Sequence, residues 1–184
     1  LERGKGYEFV DKIVGGVIPK NFIPSVDKGI REAIKKGVLA GFPVVDIRVT
    51  LFDGSYHEVD SSDISFQIAA RHAFKIAMES DNPVILEPIM HVEIFLPSEN
   101  TGDVISEVTA KRGRPLGMES AGKGYDKIVA EIPLAEMLDF SPRLSSISSG
   151  KGYFTMKFSH YSEVSPDIQN KIIEERKREE ELQK

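Results

Sequence analysis

Pro83 and Pro88 bracket Val84-Ile85-Leu86-Glu87 near the middle of the chain, and each side of them carries its own apolar stripes. Separate stripes imply separate cores, so this segment reads as a boundary between two compact α+β domains. A length of 184 residues suits two small domains.

In the first block, Tyr7 to Val14 mixes aromatic and β-branched residues and ends at Gly15-Gly16, a strand and a turn. Pro24 marks a helix start, Val26, Ile30, Ala33 and Ile34 follow at helical spacing, and Gly37 closes the helix. Val45, Ile47, Val49 and Leu51 alternate with Asp46, Arg48 and Thr50, as in a strand with one wet face. Asp53-Gly54-Ser55 stops that strand. Asp60-Ser61-Ser62-Asp63 then offers capping oxygens to a helix reaching about Met78, with Ile64, Ile68 and Ile76 as its expected core face.

The second block reads strand, helix, strand, strand, helix, strand. Val92, Ile94 and Leu96 alternate with polar or aromatic neighbours, and Val104, Ile105 and Val108 form a helical stripe. Strands around Leu116–Ser120 and Tyr125–Ile132, a helix from Leu134, and a last strand through Phe154, Met156 and Phe158 complete the ferredoxin-like βαββαβ order. Pro166 to Lys184 is a charged helix whose apolar anchor is Ile168, Ile172 and Ile173.

Composition narrows the function. A net charge of -5 argues against a generic polyanion binder, because that affinity comes from phosphate neutralisation by Lys and Arg. Cysteine is absent, which excludes disulfides and thiolate metal sites and fits a cytoplasmic origin. No apolar run is long enough to span a bilayer, and the N-terminus shows neither a signal peptide nor an initiator Met, so the chain is expected to be part of something longer.

Gly-Lys-Gly-Tyr occurs three times, at Gly4–Tyr7, Gly122–Tyr125 and Gly150–Tyr153. A phosphate-cradling loop needs wider glycine spacing, Ser or Thr after the Lys, and a helix next; each copy here leads into a strand and reads as a tight turn. His57, His72, His91 and His160 are scattered and never paired at metal-ligand spacing. Asp53, His57 and Ser61 have the residue types of a hydrolase triad but lie in one short polar loop, where a buried, oriented base is not expected. By residue type alone, that loop is an ordinary polar turn, held at both ends by regular structure.

Several strings resemble elongation factor G. Ile13-Val14-Gly15-Gly16-Val17-Ile18-Pro19-Lys20, Gly41-Phe42-Pro43-Val44-Val45-Asp46 and the run Asp53 to Ser62 are similar to its domain IV. Ile85-Leu86-Glu87-Pro88-Ile89-Met90 resembles the junction into domain V, and Lys111-Arg112-Gly113 with Pro133-Leu134-Ala135-Glu136-Met137 its continuation. The resemblance implies domain IV over 1–86, with a ribosomal protein S5 domain 2-like fold lacking its opening strand, and a ferredoxin-like domain V over 87–164. It also implies a C-terminal helix over 165–184 packing back on domain IV.

The function implied is that of the ribosome-binding arm of a translocation GTPase. Domain IV would enter the decoding site and promote movement of tRNA and mRNA. The domain IV tip, Ser55, Tyr56, His57, Glu58, Asp60, Ser61 and Ser62, would contact tRNA and the ribosome. Lys111, Arg112 and Arg114 would contact rRNA, with domain V near the sarcin–ricin loop and stalk base. The expected partners are therefore the ribosome, its rRNA, tRNA and mRNA, with no membrane and a monomeric state. No catalytic residue, metal or cofactor is expected in this chain; GTP and magnesium would belong to the G domain of the parent. A paralogous recycling or rescue factor, or a stand-alone RNA-binding module, is the alternative. Ser141-Pro142 falls where the family has an unbroken helix, and Ser145 and Ser149 stand where it usually carries Arg and Gln, which favours a paralogue.

Overall fold

The computed structural model describes residues 1–183, which divide into two compact units, Leu1–Ile85 with the C-terminal segment from Ser165, and Leu86–Val164. Two separate sheets are present, one in each unit.

The first unit opens with β1 (Tyr7–Asp11), whose parallel partner is β2 (Ile47–Leu51), in the register Tyr7 to Ile47 and Asp11 to Leu51. A parallel pair needs a crossover, and α1 (Ile23–Lys36) supplies it, with Pro24 in its first turn where no N–H is required. The second helix, α2 (Asp63–Ser80), lies against α1. At their closest approach Gly29 leaves no room for a side chain: a Cβ there would sit 2.4 Å from the Gln67 carbonyl oxygen. Ile18, Val26, Ile30, Phe66, Ala70 and Phe74 form the core, with Phe9, Ile47 and Val49 of the sheet packed against it.

The buried face of α2 differs from the one its sequence suggests. Phe66, Ala70 and Phe74 point inward, whereas Ile64 and Ile76 are about two-thirds exposed and Ile68 is 42% exposed. At 3.6 residues per turn the two sets lie on opposite sides of the helix. Both are apolar, so periodicity offers two solutions, and packing selects the set that carries the two phenylalanines. Helix α5 (Pro166–Leu182) starts with Ser165 as N-cap and Pro166 in the first turn. Gln169 fastens it to the chain before the second unit, accepting from the Ile85 N–H at 2.8 Å and donating to the Pro83 carbonyl at 3.3 Å. Ile168, Ile172 and Ile173 are half-buried. Lys184, the last residue of the expected helix, lies outside the described residues.

The second unit is a four-stranded antiparallel sheet in the order β4-β5-β3-β6, the ferredoxin-like arrangement. Its strands are β3 (Leu86–Pro97), β4 (Arg114–Gly122), β5 (Tyr125–Pro133) and β6 (Tyr153–Glu163). Helices α3 (Thr101–Ala110) and α4 (Phe140–Ile147) cover one face. Val92, Ile94, Leu96, Ile128, Ile132 and Phe140 are completely buried there. Pro88, inside β3, pairs with Tyr161 of β6 beyond the reach of β5, whose pairing begins at Ile89. There its missing N–H breaks no ladder on the β5 side.

Pro142 does not interrupt a helix. Leu134–Met137 form a separate 3-10 turn and α4 begins at Phe140, which puts Pro142 in the first turn. The first N–H groups of a helix have no internal partner, so proline costs little there.

Candidate ribosome-contacting surfaces

The loop from Phe52 to Ser62 leaves the end of β2 and returns as α2. Its base packs closely: a Cβ on Gly54 would lie 2.5 Å from Cδ1 of the buried Ile18, so a larger residue there would have to displace that side chain. The Tyr56 ring lies 5.7 Å from Phe22, which stacks on Phe66 of the core at 4.8 Å. Beyond Tyr56 the loop closes on itself. The His57 carbonyl accepts from the N–H groups of Asp60 at 3.2 Å and Ser61 at 3.0 Å, and the His57 N–H donates to Ser61 Oγ at 3.0 Å. Ser62 then caps α2 through a reciprocal pair with Ser65: the Ser65 N–H donates to Ser62 Oγ, and the Ser62 N–H to Ser65 Oγ. Such boxes satisfy two otherwise orphaned donors. Asp63, in the first turn, accepts from Ser25 Oγ at 2.6 Å and ties the start of α2 to α1.

The result is an exposed loop with defined geometry. His57, Glu58, Val59 and Asp60 face solvent, Val59 at 94%, and the His57 imidazole has no hydrogen-bond or ion-pair partner among the described residues. Asp53, Glu58 and Asp60, with Asp63 at the start of α2 beside them, make it acidic. Asp53 accepts from the Gly54 N–H, and Ser61 Oγ serves the His57 backbone rather than its ring, so the three triad residue types form no catalytic relay. Ser55, Tyr56, His57, Glu58, Asp60, Ser61 and Ser62 thus lie together on one protrusion.

The basic residues of the second unit are placed differently. Arg112 adopts a left-handed backbone, φ 56°. Gly113 after it presses against α3, where a Cβ would meet the Val108 carbonyl at 2.7 Å. This turn aims Arg112 at two carboxylates: its NH1 and NH2 donate to both oxygens of Glu87 at 2.7 and 3.0 Å, and Nε donates to Glu136 at 2.8 Å. The bond to Glu87 raises the Arg112 pKa further above its ordinary value. Lys111 pairs with Asp139 at 2.6 Å and holds that carboxyl below the usual range. Arg114 pairs with Glu131 at 2.8 Å and lowers it likewise. Arg112 is therefore committed to holding β3, the end of α3 and the Leu134–Met137 turn together, while the Arg114 side chain is 75% exposed. The clamp was invisible to sequence reasoning because Glu87 and Glu136 lie far from Arg112 along the chain.

No cluster of three His, Asp or Glu among the described residues could hold a metal ion, and no helix among them is long and apolar enough to cross a membrane.

Comparison with known proteins places this pair of α+β units, with its ordered protruding loop, among the translation elongation factors. The chain belongs to the elongation factor G family. Residues 1–81 match the family model described as elongation factor G, domain IV, and residues 84–172 the one described as elongation factor G C-terminus. An elongation factor G-like protein from Thermotoga maritima is 74% identical over 97% of this chain. Elongation factor G from Aquifex pyrophilus is 56% identical over 96%. The chain spans about a quarter of the length of these relatives, 26% and 25%. A crystal structure of a protein from Thermus thermophilus superposes with a TM-score of 0.80 at 48% identity, covering 95% of this chain and 26% of that one.

Proposed function

We propose that the chain is the C-terminal ribosome-binding arm of an elongation factor G-type protein, and that the loop around His57 is the part that enters the decoding site during movement of tRNA and mRNA. The observation that carries this is the loop itself: exposed side chains on a backbone fixed at Gly54, at Tyr56 and at the Ser62–Ser65 cap. A preordered loop loses little conformational freedom when it makes contact. Its role is positional: the tip holds tRNA and mRNA in register and blocks their return. GTP and magnesium act in the G domain of the parent protein. In the second unit Arg114 is the freest of the three basic candidates for rRNA. Lys111 reaches phosphate only by leaving Asp139, and Arg112 only by leaving two carboxylates.

The test is rapid mixing with the intact parent. His57→Ala should slow tRNA–mRNA movement while leaving ribosome-stimulated GTP hydrolysis nearly unchanged, because the tip has no part in nucleotide chemistry. Equal loss of both rates would refute the assignment. A paralogous ribosomal role is the second reading. It is favoured by the 74% identity to a relative named elongation factor G-like and by Ser145 and Ser149 at positions where the family resemblance leads one to expect Arg and Gln. Replacement of a host's own elongation factor G by the intact parent would decide between the two.

A further inference from the structure

Two of the three Gly-Lys-Gly-Tyr turns come to the same place. β5 opens at Tyr125, paired with Pro97 of β3, and β6 opens at Tyr153, paired with Phe95 of β3. Lys123, in the β4–β5 turn, and Lys151, just before β6, therefore share one end of the sheet on either side of β3. Two strand spacings set their elements roughly 10 Å apart. Alternation along the strands puts aromatic rings beside them. Ile94, Leu96 and Ile128 face the helices and are fully buried, so Phe95, Tyr125 and Tyr153 lie on the opposite, uncovered face. The Phe95 and Tyr153 rings stack at 5.0 Å with 11° between their planes, and Tyr153 is 58% exposed. Tyr125 sits diagonally from Phe95 across the ladder.

The charge at this end is mixed, with lysines and carboxylates in balance, but three of the lysines are uncommitted. Lys123, Lys151 and, further along β6, Lys157 have no ion-pair partner among the described residues. Of the carboxylates nearby, Asp126 is engaged by the hydroxyls of Ser98 at 2.9 Å and Thr101 at 2.8 Å. Glu119, on the same face, is paired with Lys127, and Glu93 lies 3.8 Å from His91, which leaves Glu99 in the Ser98–Asn100 turn. A cross-strand aromatic pair at a sheet edge stabilises the sheet by itself. That explains the half-buried Phe95 but not why the outer ring is left bare between unpaired lysines.

We propose that this end of the open sheet face binds unpaired RNA nucleotides, with a base stacked on the Phe95–Tyr153 pair and flanking phosphates met by Lys123 and Lys151. Every base offers a π-face and every phosphate a charge, so the site is tolerant of sequence and requires a single strand. The inference rests on the ribosomal reading above for the source of the RNA.

The probe is a short fluorescent oligouridylate titrated into the 184-residue chain, beside a hairpin duplex of the same label. Binding to the single strand should exceed binding to the duplex. Tyr153→Leu and Phe95→Leu should each weaken it about 5- to 150-fold, the range for loss of one stacked base. The double variant Lys123→Ala with Lys151→Ala should reduce the slope of log K against log salt by about 1.4, from roughly 0.7 for each phosphate on a single strand. Circular dichroism of each variant keeps unfolding from being mistaken for lost contact. Unchanged affinity in folded Tyr153→Leu, or equal binding of the duplex, would overturn the proposal. So would binding by this chain but not by the intact parent, which would assign the face to another part of the parent protein. Co-sedimentation of the chain with ribosomes separates the two readings. Sedimentation without oligouridylate binding removes the platform alone, and loss of both removes the ribosomal reading as well.

Discussion

The two units solve the same packing problem with unequal means. In the second, four strands present a continuous face to two helices, and Val92, Ile94, Leu96, Ile128 and Ile132 have no exposure at all. In the first, only β1 and β2 pair, and no core residue is completely sealed: Val26 and Ala70 stay 7% exposed and Phe66 9%. An apolar groove lined by Val49 and Leu51 of the sheet and Ala69, Ala73 and Ala77 of α2 lies open beside it. Strands with one neighbour leave half their backbone groups to water, and such regions open locally at lower free energy. The first unit should therefore exchange its amides sooner than the second. The exposed loop is held by its own cap, internal hydrogen bonds and aromatic contact, not by a place on the better-packed half.

The sharpest test is Phe140→Ala, which empties the centre of the second core and should cost about 3–5 kcal/mol. Urea unfolding followed by unit-resolved hydrogen exchange should show the loss in Leu86–Val164 alone; equal loss in the first unit would end the distinction. Arg112→Gln leaves Glu87, whose side chain is only 14% exposed, without its bidentate partner. A cost of about 1–3 kcal/mol is expected, again confined to the second unit in the same exchange experiment.

In the first unit Tyr7 donates to Asp27 at 2.7 Å, and burial, followed by that hydrogen bond, pushes its pKa far up. A raised folded pKa favours the protonated form. Its contribution is thus complete below the unfolded value near 10 and is lost as pH rises above it. Tyr7→Phe should cost about 1 kcal/mol at neutral pH. The difference from the parent chain should shrink above about pH 10, as denaturant titrations across that range would reveal. The smallest effect belongs to His57→Ala, below about 0.5 kcal/mol because the residue is exposed and its ring has no hydrogen-bond partner among the described residues. Thermal melts that showed a larger loss would make His57 part of the fold rather than of a surface.

Much of this architecture was legible from local pattern. The alternation around Ile47–Leu51 gave β2, Pro24 and Pro166 marked the starts of α1 and α5, and Asp60-Ser61-Ser62-Asp63 located the cap of α2. The strings around Gly15-Gly16 and His57 carried the family. What was misread depended on packing at a distance. Ile64, Ile68 and Ile76 satisfy helical periodicity as well as Phe66, Ala70 and Phe74 do, and only α1 decides between them. Pro142 looked like a break because the 3-10 turn before α4 has no sequence mark that separates it from a helix. In the candidate surfaces, the loop at His57 was visible as a contiguous string, whereas the Arg112 clamp needed a fold to bring Glu87 and Glu136 to it.

The acidity of the loop at His57 has a kinetic consequence. Towards a polyanion, Asp53, Glu58, Asp60 and Asp63 give no long-range attraction, and their repulsion is damped within about 8 Å at physiological salt. On the proposed function, an acidic loop would arrive without being drawn in and leave without many phosphate contacts to break. Its grip must then come from shape and short-range hydrogen bonds at the moment of contact. Such a contact is expected to have a short residence time, which would suit the entry-and-withdrawal role proposed above.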